Sequence, residues 1–318
     1  MIRFFVAILA TVCWTTSAYA ETFADPSTTL IWQGVERHYF LHLPPQTPGD
    51  TPIPVIIALH GVGQTPAEFA DFTKFDEVAD RAKVAVIYPE GRSYSKEGWL
   101  GWNSGFCCVG KAGKATDDVG FVMAVLDDAL AKAKLDRARV FVTGFSNGAM
   151  LAYRIAAEHA DRIAAIGISS GAIGGDSGIG TPYYQIPKPS RPVSVAIVHS
   201  LTDPFMIYHG GSSKTLEDEM HLRRRITSSV ADAMKFWWEA NDCDASDPAY
   251  DDKDVAIDLS YGCKAHADVV LWTIKSSGHV WPGDLPMVVV EKGQLTVTKP
   301  VSAAEAFTAF FLRYERAH

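Results

Sequence analysis

Short apolar runs recur along the chain: TLIW (29–32), HYFLHL (38–43), PVIIALHG (54–61), VAVIYPEG (84–91), RVFVTGFS (139–146), IAAIGISSG (163–171), SVAIVHS (194–200) and VVLWTI (269–274). Several are continuous rather than alternating, the pattern of strands covered on both faces by helices. Between them, apolar residues at helical spacing predict helices over 66–83, 117–134, 147–159, 228–240 and 303–314. An N-terminal hairpin followed by strand–helix repetition predicts an α/β fold with a mostly parallel central sheet and helices on both faces. Two stretches rich in Gly and Pro, 174–192 and 209–225, break the pattern and are expected to be loops. Such loops above the C-terminal ends of parallel strands are where this architecture places its ligands.

The first twenty residues, MIRFFVAILATVCWTTSAYA, differ from everything that follows. One cation at Arg3, an apolar stretch from Phe4 to about Trp14 and the small-x-small site Ala18-Tyr19-Ala20 predict a signal peptide over 1–20, with Glu21 as mature N-terminus. The apolar run is too short to span a bilayer. The expectation is a secreted protein, extracellular or periplasmic, with one catalytic domain over 21–318. At 47% hydrophobic and 21% charged residues the chain has material for a full core. Without Arg3, 28 of the 29 basic residues face 37 acidic ones, a net charge of −9. That balance argues against nucleic acid or an anionic membrane as partner.

Export also changes the reading of the cysteines. With Cys13 removed, Cys107, Cys108, Cys243 and Cys263 remain, an even number in a compartment that permits disulfides. Of three possible pairings, the favoured one joins Cys243 to Cys263 and closes a loop over the polar stretch NDCDASDPAYDDKD. Cys107 and Cys108 are then left to each other as a vicinal disulfide, or remain thiols. No Cys-x-x-Cys or nearby His supports a metal site.

The chemistry centres on GFSNG, 144–148. A lone serine between two glycines is a weak pattern, but here an apolar strand precedes it and helical periodicity at Met150, Leu151 and Ile155 follows. That is the setting of a nucleophile elbow, with Ser146 as nucleophile. A serine hydroxyl needs a base to take its proton and an acid to orient the base. His279, in the loop SSGHVWPG after VVLWTI, is the expected base, and Asp203, just past SVAIVHS, the expected acid. Asp284 follows the histidine and breaks the usual order. The oxyanion donors are expected from the backbone of Asn147 and of Val62 in ALHGVGQ, with Gly61 next after Val62. His60 is expected to be structural, and Asp117 and Asp118 to cap the helix that begins there. Trp281 and Trp102 are the expected substrate-binding residues, with Tyr183, Tyr184 and Phe205 as further candidates.

Taken together, LHGVGQ, GWNSGFCCVG followed by DDVGF, GFSNGAM, HSLTDPFMIYHGG and GHVWPG resemble the secreted polyhydroxybutyrate depolymerase and feruloyl esterase family of α/β-hydrolases. The resemblance runs from about Gly34 to the C-terminus. It implies nucleophile, acid and base at Ser146, Asp203 and His279, suggests a Cys243–Cys263 bridge, and implies a serine esterase working through an acyl-enzyme without metal or organic cofactor. Two positions depart from it: Val62 stands where many members have cysteine, and Ser200 where a glycine usually follows the histidine. The implied partner is an ester, either a hydroxyalkanoate polyester or a feruloyl or acetyl ester on plant polysaccharide. With no Ser/Thr-rich linker or binding module in the sequence, the expectation tilts toward soluble esters, oligomers or polysaccharide-bound aromatic acids. A peptidase of the same fold and a non-catalytic binding protein are the alternatives, and the sequence is silent on oligomeric state.

Overall fold

A computed structural model describes residues 27–45, 51–93, 98–107, 116–176, 178, 182–215, 224–291, 294–297 and 299–316. The leader expected over 1–20, and Cys108, lie outside the described residues. Ten strands form the main sheet: β1 (Thr28–Trp32), β2 (Val35–His42), β3 (Ile53–Leu59), β4 (Ala85–Pro89), β5 (Leu135–Phe145), β6 (Ala165–Ser169), β7 (Ser194–Ser200), β8 (Ala245–Asp251), β9 (Val255–Tyr261) and β10 (Val269–Ile274). Their order is β1-β2-β4-β3-β5-β6-β7-β10-β9-β8. The block β4-β3-β5-β6-β7-β10 is parallel, and an antiparallel hairpin closes each side, β1–β2 and β9–β8.

The continuous apolar runs are explained by two cores. Alternate side chains of one strand go to opposite faces, so Val55, Ile57 and Leu59 enter one core while Ile56 and Ala58 enter the other. Helices α3 (Asp118–Lys132), α4 (Asn147–Glu158) and α5 (Val230–Ala240) cover the first face; α1 (Pro66–Thr73), α2 (Phe75–Ala82) and α6 (Ala303–Phe311) cover the second. Capping boxes start α1 (Thr65 with Glu68), α5 (Ser229 with Asp232) and α6 (Ser302 with Glu305), and Asp117 caps α3 through the Gly120 N–H. Asp118, expected to share that task, instead forms a buried ion pair with Arg37 at 3.1 Å.

Three local expectations change. The helix over 66–83 is two helices, broken at Lys74 in the left-handed region (φ 54°). Six residues apart on a straight helix lie about 240° around its axis, so Phe69 and Phe75 would stand about 120° apart rather than on one face. The break brings both to 0% exposure. The stretch expected as a loop around NDCDASDPAYDDKD is largely strand β8, held on β9 across a bulge between Pro248 and Tyr250. Proline is tolerated there because β8 is the sheet's last strand. The Cys243–Cys263 disulfide is formed, and it ties the start of this hairpin to its end. Finally, the first expected loop carries strands: Gly174–Asp176 and Tyr184–Gln185 pair with Ile226–Thr227, just past the second expected loop, into a small antiparallel sheet.

Helix α4 approaches the sheet unusually closely. A Cβ at Gly148 would stand 2.2 Å from the Leu59 carbonyl oxygen and 2.5 Å from that of His60, and one at Gly144 would stand 2.5 Å from the backbone of Gly148. Gly148→Ala is therefore expected to lower the unfolding free energy by about 3 kcal/mol, measured by urea denaturation. Gly283→Ala, with nothing within 4 Å of its Cβ, is the control and should shift by less than about 0.5 kcal/mol.

Candidate active site

Four sequence-predicted residues sit just past the C-terminal ends of parallel strands: Val62 after β3, Ser146 after β5, Asp203 after β7 and His279 after β10. Because the strands are parallel, these ends share one edge of the sheet. Ser146 adopts φ 53°, ψ −117°, an uncommon conformation for a residue with a Cβ. Its N–H donates to the Ser169 carbonyl on β6 at 2.9 Å, and its carbonyl accepts from Met150 N–H in the first turn of α4. The strained turn is thus held from both sides.

Asp203 is the most enclosed charge at this edge, with no side-chain surface exposed. Its Oδ1 accepts the Phe205 and Met206 N–H groups at 2.9 and 2.8 Å, an Asx turn that Asp-Pro announces. Its Oδ2 accepts from His279 Nδ1 at 2.7 Å. Burial pushes this carboxyl upward, yet the His279 hydrogen bond and charge, the Met206 N–H and nearby His199 outweigh it and hold the carboxyl below the usual range. A carboxylate on Nδ1 makes that nitrogen the donor and leaves Nε2 as the proton acceptor. The His279 ring lies between Phe145, whose centroid is 4.7 Å away, and Phe205 at 5.3 Å. Ser169 links the two loops, since its carbonyl holds Ser146 while its hydroxyl donates to the Val280 carbonyl at 3.3 Å. No hydrogen bond joins Ser146 to His279 among the described residues.

The oxyanion positions can be tested by accounting for N–H groups. In the loop after β3, Gly61 N–H donates to Gln64 Oε1 at 2.9 Å, Gly63 N–H to the Leu100 carbonyl at 2.8 Å and Gln64 N–H back to Gly61 at 3.3 Å. That removes Gly61 as the alternative donor. Val62 N–H has no acceptor among the described residues, and Asn147 N–H, at the first position of α4, has none within its helix. The Asn147 side chain accepts from Trp102 N–H at 2.7 Å and donates to the Trp102 carbonyl at 3.0 Å. Trp102 Nε1–H in turn donates to the His60 carbonyl at 2.9 Å. The segment at Trp102 therefore fastens the loop after β3 to the elbow, a role that nothing local in GWNSG signals.

These bonds correct the expectation for two tryptophans. Trp102 is 0% exposed, its ring 4.9 Å from that of His60, and it cannot meet substrate. Trp281, 8% exposed, points away from the edge into the core, edge-on to Phe69, Phe75 and Phe307. Sequence proximity to His279 misled because the Trp281 ring packs against Phe69 of α1, Phe75 of α2 and Phe307 of α6. What lies beside the elbow is an apolar group of Phe106, Cys107, Met150, Ala172 and Met206, with Val62, Tyr184 and Phe205 partly buried against it. Tyr183 is exposed. Cys107 is disulfide-bonded, and Arg225 Nη1 donates to its sulfur at 3.0 Å; its expected partner, Cys108, is outside the described residues.

The family-model match spans the loop after β3, the elbow and Asp203, and ends before His279. The family model "Esterase PHB depolymerase" matches residues 37–234. The chain belongs to this family of esterases, within the α/β-hydrolase fold. It is 27% identical over 284 residues to "Putative esterase NocK" of Nocardia uniformis subsp. tsuyamanensis, covering 82% of this chain and 76% of that one. It is 25% identical over 246 residues to "Feruloyl esterase B" of Piromyces equi, covering 76% of this chain but 42% of that protein, so it spans less than half of that relative's length. The fold resembles that of the acetyl xylan esterase from Aspergillus awamori, with a TM-score of 0.54 at 14% identity over 81% of this chain and 95% of that one.

His60, fully buried, donates from Nδ1 to the Gly61 carbonyl at 2.7 Å and accepts the Gly91 N–H at Nε2 at 2.9 Å. Burial lowers its pKa to about 4. The folded protein thus keeps His60 neutral while the unfolded chain protonates it below about pH 6.5, so its contribution is complete above pH 6.5 and is lost as pH falls toward 4. Between pH 7 and 5 the loss from His60 is about 2 kcal/mol. In a His60→Gln variant the fall in unfolding free energy over that interval, measured by urea titration at both pH values, should be smaller by that amount.

Proposed function

We propose that the chain is a secreted serine carboxylic-ester hydrolase in which Ser146, His279 and Asp203 form the catalytic triad. The observation that carries this reading is the fully enclosed Asp203 carboxylate on Nδ1 of His279, at the same sheet edge as the strained Ser146 turn. Asp203 selects the tautomer in which His279 Nε2 is free to accept the serine proton. Ser146 Oγ attacks the ester carbonyl, and the proton passes to His279. The tetrahedral oxyanion lies between the N–H groups of Val62 and Asn147, at the positive end of α4. His279 then delivers the proton to the departing alkoxide, leaving Ser146 acylated. Water then attacks the acyl carbonyl with His279 as base, and His279 returns that proton to Ser146 Oγ as the acyl–serine bond breaks and the acid product is released.

Asp203 stays ionised through the neutral range, since its carboxyl is held below the usual values. The imidazolium formed during attack is thereby paired when it appears. The partly buried Val62, Tyr184 and Phe205 offer an apolar surface next to the serine, suited to the acyl or alcohol portion of an ester. Relatives named feruloyl esterase and acetylxylan esterase support esters of phenolic or acetic acid on polysaccharide as the substrate class. A short hydroxyalkanoate ester is the other member of that chemistry. The domain boundaries, one catalytic unit over 21–318 behind a leader, belong to this proposal.

Hydrolysis of p-nitrophenyl butyrate tests the mechanism. Ser146→Ala is expected to lower kcat by about 10⁴-fold or more, and Asp203→Asn by about 10³- to 10⁴-fold. Full activity in Ser146→Ala would remove the proposal. A comparison of kcat/KM for methyl ferulate, acetylated xylan and 3-hydroxybutyrate oligomers ranks the substrates, with ester cleavage expected on at least one.

A further inference from the structure

His199, the penultimate residue of β7, is fully enclosed at 2% exposure and takes no part in the proton path above. Its Nε2 lies 2.7 Å from the Met206 carbonyl, so that nitrogen carries the hydrogen and donates. The same nitrogen stands 3.6 Å from Asp203 Oδ2. Among the described residues its Nδ1 has no hydrogen-bond partner. An unmet buried acceptor costs about 1–3 kcal/mol, and a phenyl ring would fill the same space without that cost. Volume alone therefore does not account for an imidazole here, whereas its single donated hydrogen bond does.

That bond closes a ring around the acid. His199 holds the Met206 carbonyl, the Met206 and Phe205 N–H groups hold Asp203 Oδ1, and Oδ2 is left facing His279 Nδ1. Resting on the assignment of Asp203 as the acid, we infer that His199 is a positioning residue that orients the Asp203 carboxylate toward His279 by anchoring the 203–206 turn to β7. The groups facing His199 are Asp203 on that turn, His279 from the loop after β10, and Tyr208, whose ring meets it edge-on at 5.8 Å while its hydroxyl bonds Thr273. Burial holds the His199 imidazole below its usual pKa, which keeps a second cation away from the carboxylate. The role needs a donor at the Nε2 position and no titration.

An amide can replace that donor, and its position decides the test. The glutamine side-chain nitrogen reaches the place of Nε2, while that of asparagine reaches only the place of Nδ1. With p-nitrophenyl butyrate, His199→Asn is expected to lower kcat by about 10- to 100-fold with KM within about twofold. His199→Gln should stay within about threefold of wild type from pH 6 to 9. His199→Phe, which fills the space without a donor, is the second variant and should lose as much as His199→Asn. In an Asp203→Asn background, adding His199→Asn should cost less than about twofold more, because the group it positions is gone. Equal activity of the Asn and Gln variants, failure of Gln to restore activity, or losses that multiply in the double variant would overturn the inference. If Ser146→Ala or Asp203→Asn keeps full activity, it is the triad assignment that falls. If both lose activity while His199→Asn does not, only the role of His199 falls.

Discussion

The separation between helix α4 and strand β3 is set by the absence of one carbon at position 148. With no Cβ there, the helix backbone can rest against the Leu59 and His60 carbonyls, and Gly144 lets strand β5 turn without striking the same helix. From that contact follow the direction in which Ser146 leaves the sheet and the reach of the Asn147 amide to the backbone of Trp102. The indole of Trp102 then returns to the His60 carbonyl and closes the arrangement. The donors expected to face an oxyanion sit on two loops that a single close packing contact keeps at fixed spacing, which is the preorganisation that electrostatic stabilisation of a transition state requires.

Charge at this edge is admitted only where hydrogen bonds surround it. The Asp203 carboxylate meets two backbone N–H groups and one imidazole, and Asp118 meets Arg37, the Asn103 N–H and the Thr116 hydroxyl. His60 remains neutral because burial disfavours its charged form, and its two nitrogens serve backbone groups in a single tautomer. The Arg37–Asp118 pair also reaches the Ser146 edge indirectly: Asp118 fixes Asn103, whose neighbour Trp102 bridges the elbow and the loop after β3. The ion pair and the elbow are thus mechanically continuous through three polar contacts and the Trp102–Asn103 peptide bond.

Much of this was legible in the sequence for a simple reason. Apolar runs, strand-end glycines and the order Ser146, Asp203, His279 are local signals, and parallel strands convert that order into a shared edge. The Cys243–Cys263 bridge was legible too. What escaped depends on contacts made across the fold. Trp102 and Trp281 look accessible because each adjoins a site motif, but their partners His60, Phe69 and Phe307 lie far away along the chain. Strand β8 was hidden because ASDPAYD carries Asp and Pro, poor strand formers, and forms only by pairing with the alternating Val255, Ile257 and Leu259 of β9. The break at Lys74 has no glycine to mark it, since burial of Phe69 and Phe75 drives it.

The backbone at Ser146 gives one more consequence. Its positive φ, paired with ψ near −117°, is a conformation glycine adopts freely and other residues hold at a cost of about 1–3 kcal/mol. That cost is the same in the resting protein whether or not an ester is present. A chain with glycine at this position would relieve that strain and, under the proposed mechanism, lose its nucleophile. Thermal robustness and the proposed turnover therefore pull in opposite directions at one dihedral, and selection for stability alone would steadily erode the proposed nucleophile.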